Sequence, residues 1–195
     1  MTKKYLRKEI LRLRKDIPKE KLKEISSIIN RNLVNLYNQK LKDFSIFFLY
    51  YPVGSEVDIR DFILFLLKED KEVYLPKVID KKNMDFYRIF SFDNLKVGKF
   101  NILEPDISKN LKKANIPLTI PEVLVVPSVG INKDFFRLGM GGGYYDRFYS
   151  KIKKYNTIKI SPIMENFINL DFKEDEFDLQ LDILITEKGI YERKK

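Results

Sequence analysis

The chain has 195 residues, with 37 lysines and arginines against 28 acids for a formal charge of +9, and it contains neither cysteine nor histidine. Disulfides, thiolate zinc sites, a cysteine nucleophile and a histidine base are thereby excluded, which leaves carboxylates, cations, tyrosines, backbone amides and an oxygen-ligated ion such as Mg2+. A hydrophobic content of 44% at this length predicts one domain that buries about 70% of its unfolded surface.

No run approaches the ~20 apolar residues that span a bilayer, and the first residues lead into a charged segment rather than a secretory core. No membrane partner is expected, and cytoplasm is the expected location. The bases are spread along the chain, and no helix-turn-helix, zinc-finger or ribonucleoprotein aromatic motif accompanies them, so nucleic acid is not an expected partner.

Residues 4–17 predict a first helix, with Leu6, Ile10, Leu13 and Ile17 as its apolar stripe. Lys3, Arg7 and Arg14 project within about 40° of one another beside it, a basic edge that spacing alone assigns to solvent. Pro18 suits the first turn of a second helix that runs to Tyr37 and turns Leu22, Ile25, Ile29, Leu33 and Leu36 inward. Residues 45–50 are a buried strand, and the Pro- and Gly-containing loop 51–58 follows, with Asp58 placed to cap a helix over 59–68. That loop lies just past the C-terminal end of a strand, where open α/β sheets bind ligands, so Tyr51 and Glu56 are candidates.

Residues 72–78 and 85–90 predict further strands across a polar turn, with Lys77 as a lone surface lysine. Residues 106–121 form a polar connection without an assigned role, residues 123–127 a short buried strand, and 156–163 and 181–186 the last strands. Strands alternating with helices predict an α/β sheet covered on both faces.

Residues 137–147, RLGMGGGYYDR, carry four of the chain's eight glycines within five positions. Gly139, Gly141, Gly142 and Gly143 let the backbone turn tightly and present N–H groups to an anion. Tyr145, Phe148, Tyr149 and Ile152 then share one helical face, so a helix starting near Gly143 would aim its positive end at that anion. The run fits neither the Walker loop nor the dinucleotide fingerprint. A flanking arginine, Arg137, and a flanking carboxylate, Asp146, suit a nucleotide phosphate with its Mg2+.

This motif, preceded by VVPSVG, resembles the signature of the 5-formyltetrahydrofolate cyclo-ligase (5,10-methenyltetrahydrofolate synthetase) family, and weaker likenesses extend over nearly the whole chain. The resemblance implies a single three-layer α/β/α domain over 1–195, with a mostly parallel or mixed central sheet. It implies ATP-dependent conversion of 5-formyltetrahydrofolate, with or without a polyglutamate tail, to 5,10-methenyltetrahydrofolate by a monomeric enzyme using Mg2+.

The implied ATP site is Lys3 and Arg7 of a Lys-x-x-x-Arg pattern, with Arg137, Leu138, Gly139, Met140, Gly141, Gly142, Gly143, Tyr144 and Tyr145. Arg137 would be catalytic and Asp146 would hold the metal. Tyr51 and Glu56 would contact the folate, and Phe100 would either stack on the pterin or pack in the core. The match departs at three places: Asn132 and Phe135 stand where an Asp and a turn glycine are usual, Phe177-Asp178 replaces a His-Asp pair, and Glu165-Asn166 stands where a glutamine is often found. A kinase of another small molecule and a basic RNA-associated protein are the alternatives that the residues alone leave open.

Overall fold

The structure, a computed structural model, describes residues 2–98 and 102–194. Helix α1 (Lys3–Lys15) starts where the Thr2 hydroxyl accepts the Tyr5 N–H, and α2 (Lys19–Leu36) follows Pro18 and ends in a π turn, Tyr37–Leu41. Strand β1 (Ile46–Phe48) leads through loop 49–59 into α3 (Arg60–Lys68). Asp58 accepts the N–H of Arg60 at 3.0 Å, so it caps that helix from just outside it.

Strands β2 (Glu72–Val78) and β3 (Met84–Ile89) form a hairpin, and β4 (Leu95–Val97) pairs with β5 (Leu103–Pro105) as a separate ribbon. After β6 (Val123–Val125), a small hairpin of β7 (Gly130–Ile131) and β8 (Arg137–Leu138) delivers the chain to the glycine turn and α4 (Tyr144–Ile152). Strands β9 (Ile158–Pro162), β10 (Ile183–Ile185) and β11 (Ile190–Glu192) complete the order.

Among the described residues seven strands make one mixed sheet, ordered β11-β10-β9-β6-β1-β2-β3. Its five inner strands are parallel and both edge strands antiparallel. Successive side chains of β1 show how the faces are covered. Phe47 turns toward Tyr37 at the end of α2, with ring centroids 6.3 Å apart, and Phe48 turns to the opposite face, 5.9 Å from Phe148 of α4. The layers are therefore helix, sheet, helix, as the resemblance implied. The functional loops lie beyond the C-terminal ends of β1 and β6, the side on which parallel sheets collect ligands.

Three local expectations need correction. Leu13, expected inside, is 47% exposed, while Arg14, expected in solvent, is only 3% exposed. Arg14 is accepted inside because two carbonyls and the Phe167 ring receive it. Lys77 is no lone surface lysine: its side chain is 12% exposed and ion-paired to Glu104. The small hairpins and β11 gave no sequence signal, since strands of two or three residues are too short to show a period.

The β7–β8 turn holds one of the three departures from the pattern of the family that the sequence resembles, and its geometry records that departure. Phe135 adopts φ +65°, a left-handed conformation natural to glycine. Asn132, 2% exposed, compensates: its Oδ1 accepts the N–H groups of Asp134 (3.1 Å) and Phe136 (2.8 Å), and its Nδ2 donates to the Phe172 carbonyl at 3.2 Å. Asn132→Ala strands two backbone donors and is expected to lower stability by about 2 kcal/mol in urea denaturation. Asn132→Asp keeps both acceptor bonds and should cost less.

Candidate active site

The glycine turn is set by backbone conformation: Gly141 sits at φ +96° and Gly143 at φ +64°, and Gly143 immediately precedes α4. Gly139 is needed for a different reason. A Cβ there would lie 2.8 Å from Nη1 of Arg137, so only glycine lets that guanidinium pack against the turn. Gly139→Ala is expected to leave the melting temperature nearly unchanged and to lower turnover about tenfold, because a few tenths of an ångström at a positioning group suffice.

Arg137 is the centre of the arrangement. It is buried, donates to both oxygens of Asp146 (3.0 and 3.1 Å) and to the Pro127 carbonyl (3.1 Å), and lies 5.3 Å above the Tyr145 ring. Its Nε is buried without a partner. Beside it α1 contributes two further cations. Arg7 donates through Nε to the Gly139 carbonyl at 2.7 Å, and Lys3 is ion-paired to Asp178 and to Asp175, the latter at 2.6 Å. These groups line a recess of about 190 Å3 with Leu138, Gly141, Gly143 and Asp146. Three cations and the start of a helix suit a polyphosphate there.

On the other side of Arg137 opens a mainly apolar cavity of about 280 Å3. Its walls include Pro76, Val78, Met84 and Ile102, the aromatic rings of Tyr51, Tyr144 and Tyr145, and the exposed Met140 with Gly142 at the turn. Two carboxylates line it, Glu56 and Glu104, and Glu104 is neutralised by Lys77. Glu56 has only the Val53 N–H, at 3.0 Å, and forms no ion pair among the described residues. Desolvation raises its pKa to about 7, against that hydrogen bond and the fields of Arg14 and Arg137. A carboxylate half-ionised at neutral pH and facing an apolar cavity is suited to pair with adjacent N–H donors of a flat heterocycle.

Arg137, Gly139 and Gly143 belong to both spaces, so the recess and the cavity meet across one guanidinium and one turn. The structure brings Lys3, Arg7, Leu138, Gly141 and Asp146 to the recess, and Tyr51, Glu56, Met140, Gly142, Tyr144 and Tyr145 to the cavity. Phe100 lies outside the described residues. Glu104 in the cavity wall, with its partner Lys77 behind it, and the carboxylates Asp175 and Asp178 facing Lys3 were not singled out as site residues in the sequence. Asp178 had a signal, as the residue after Phe177 in the altered pair.

For Mg2+ the donor set is suitable but not preassembled. Asp146 and Asp178 offer hard oxygen ligands in the recess, yet both Asp146 oxygens are held by Arg137, and no group of three or more acidic side chains among the described residues is arranged to hold a metal. Such a site matches an ion that arrives with phosphate ligands of its own and takes one or two carboxylates from the protein.

A basic recess and a heterocycle-sized cavity joined at a buried arginine suit an α/β enzyme that brings an anionic and an aromatic ligand together. The profile of the 5-formyltetrahydrofolate cyclo-ligase family matches residues 1–187. The 5-formyltetrahydrofolate cyclo-ligase of Mycoplasma pneumoniae is 32% identical over 192 residues, covering 96% of this chain and 100% of that protein. Among solved structures, the 5,10-methenyltetrahydrofolate synthetase of Aquifex aeolicus superposes with a TM-score of 0.81 at 30% identity, over 100% of this chain and 94% of its own. A 5,10-methenyltetrahydrofolate synthetase from Mycoplasma pneumoniae gives 0.73 at 27% identity, over 96% and 99%. The chain belongs to the 5-formyltetrahydrofolate cyclo-ligase family.

Proposed function

We propose that the chain, acting as one domain and a monomer in the cytoplasm, converts 5-formyltetrahydrofolate to 5,10-methenyltetrahydrofolate with ATP, using the residues around Arg137. The observation that carries this reading is the sharing of Arg137, Gly139 and Gly143 between the recess and the cavity. A γ-phosphoryl group in the recess would lie next to a formyl oxygen in the cavity, which is what oxygen-to-phosphorus transfer requires.

The N5-formyl carbon is amide-like and a poor electrophile. Its oxygen attacks the γ-phosphorus, the bond from phosphorus to the β-phosphate oxygen breaks, and ADP leaves. N10 then attacks the formyl carbon of the resulting imidate phosphate. The N5 lone pair expels inorganic phosphate, the N10 proton is lost, and the cationic methenyl bridge remains. Arg137, Arg7, Lys3 and the turn's N–H groups offset charge on the transferring group, while Glu56 and Tyr51 hold the pterin so that N10 stays within reach. Mg2+, when bound with ATP, supplies additional positive charge at the phosphates, with Asp146 and Asp178 as the protein groups that would hold it.

In the free protein Arg137 is neutralised by Asp146 and Lys3 by Asp175 and Asp178. Each cation is thus kept in a polar, hydrogen-bonded position that an arriving phosphate competes for. The test is absorbance at the methenyl-folate band after mixing the protein with 5-formyltetrahydrofolate. A rise that needs both ATP and Mg2+ supports the reading. Tight ATP binding without that rise would overturn it and point to a kinase of another small molecule.

A further inference from the structure

Arg14 has no place in the chemistry just described, yet it is among the most buried charges in the molecule, at 3% exposure. Its Nη2 donates to two consecutive carbonyls, Ser128 at 2.7 Å and Val129 at 2.8 Å, and its guanidinium lies 5.0 Å from the Phe167 ring centroid. Nε is buried without a partner, and no carboxylate stands within ion-pair distance among the described residues. A buried cation with only carbonyls to face is costly, so something in its surroundings must use the charge or the bonds.

The segment it holds is the cavity wall. Residues 127–129 line the cavity, and their three carbonyls accept from buried guanidiniums: Pro127 from Arg137, Ser128 and Val129 from Arg14. The wall is therefore strung between two arginines, one of them central to the site. The same cavity is lined by Glu56, the one carboxylate of its lining without an ion pair among the described residues. We propose that Arg14 is a positioning residue of this reaction: it presets the wall on which Arg137 rests, and it places a second buried cation behind the cavity that Glu56 lines.

The groups whose fields reach Glu56 are Arg14 from α1, Arg137 from β8, Tyr50 from the end of β1 and Tyr145 from α4. Both tyrosines stay protonated, because burial raises their pKa. The two arginines are thus the cations that oppose desolvation of the carboxylate. Removing one should raise the Glu56 midpoint by about one pH unit.

The kinetic half of this inference rests on the folate reading above, so the test has a half that does not. The Glu56 side-chain carboxyl carbon, assigned with Glu56→Gln, is titrated by 13C NMR in wild type, Arg14→Gln and Arg14→Lys, without any ligand. In Arg14→Gln the midpoint is expected about one unit higher, and the KM for 5-formyltetrahydrofolate at pH 7 about fivefold higher, as the ionised fraction falls. Arg14→Lys keeps the charge but loses the forked donor, so the midpoint should stay while kcat falls about tenfold.

A cooperatively melting Arg14→Gln variant with an unmoved midpoint, or Arg14→Lys with wild-type kcat, would overturn the proposal. If Arg14→Gln does not fold, the Arg14→Lys variant decides: lowered kcat at an unmoved midpoint supports it and unchanged kcat sinks it. A wild type that forms no methenyl-folate would defeat the functional reading while leaving the titration standing.

Discussion

Arg137→Ala is expected to lower the rate of methenyl-folate formation by a hundredfold or more, measured in a single turnover with saturating ATP and folate. The residue lines both the recess and the cavity, so in the proposed reaction its guanidinium would meet the phosphoryl group on its way between them. Removing a donor of that kind, one that acts mainly on charge developing in the transition state, costs on the order of 3 kcal/mol. Arg137→Lys should recover little of the loss, because a lysine cannot span both Asp146 oxygens and the Pro127 carbonyl as the fork does.

Folding must be separated from chemistry in this variant. Alanine leaves the Asp146 carboxylate, whose side chain is 22% exposed, with the Leu179 N–H as its remaining partner at 3.3 Å. A loss of about 2 kcal/mol of stability is expected from breaking one side of the pair, less than for a fully enclosed one. Arg137→Ala combined with Asp146→Asn should regain part of that stability and none of the rate. A folded Arg137→Ala enzyme turning over at the wild-type rate would show that the charge of the transferring group is met elsewhere.

The large elements were legible because their periods are long enough to read. The second helix, β2 and α4 lie close to where apolar spacing put them, and the buried pair Phe148 and Ile152 was on the face expected to be buried. The hairpin that carries Arg137 was not legible, since two-residue strands have no period, and its left-handed Phe135 was marked only by the resemblance, which puts a turn glycine at that position. Tertiary partners decided what remained. Arg14 looked like a solvated base because the carbonyls that receive it come from a loop more than a hundred residues away.

The same limit applied to the site. The glycine turn pointed to an anion from sequence alone, because four glycines in five positions let the backbone present its N–H groups. Lys3 and Arg7 were ordinary helix-surface bases until the resemblance singled them out, and the structure now places both at the recess. Lys77 and Glu104 are 27 residues apart on two different sheets, so their pairing was invisible before the fold existed.

The second large effect is expected at Glu56, where affinity and stability should move in opposite directions. Its carboxyl titrates near 4.5 in an unfolded chain and about 7 in the folded one. Between those values the folded state binds more protons, so stability falls as pH rises through the window and levels off above it. Glu56→Gln removes that loss. The variant should match wild type in denaturant at pH 4 and exceed it at pH 8 by roughly 2 kcal/mol, the full shift discounted for the partial exposure of the group. Binding follows the charge the other way. In the proposed role the ionised carboxylate would accept from two adjacent ring donors and the protonated form would do so poorly, so the folate KM of wild type should climb as pH drops through 7. Glu56→Gln should hold KM tenfold or more above wild type at pH 8, with little pH dependence, because a charge-assisted pair is worth about 1.5 to 3 kcal/mol. A variant less stable than wild type at pH 8 would mean that the carboxylate is held for structure. One with unchanged KM would mean that the pterin is read elsewhere in the cavity. The expected combination, a more stable protein that binds its substrate worse, marks a group kept ionised in an apolar cavity for the ligand it meets there.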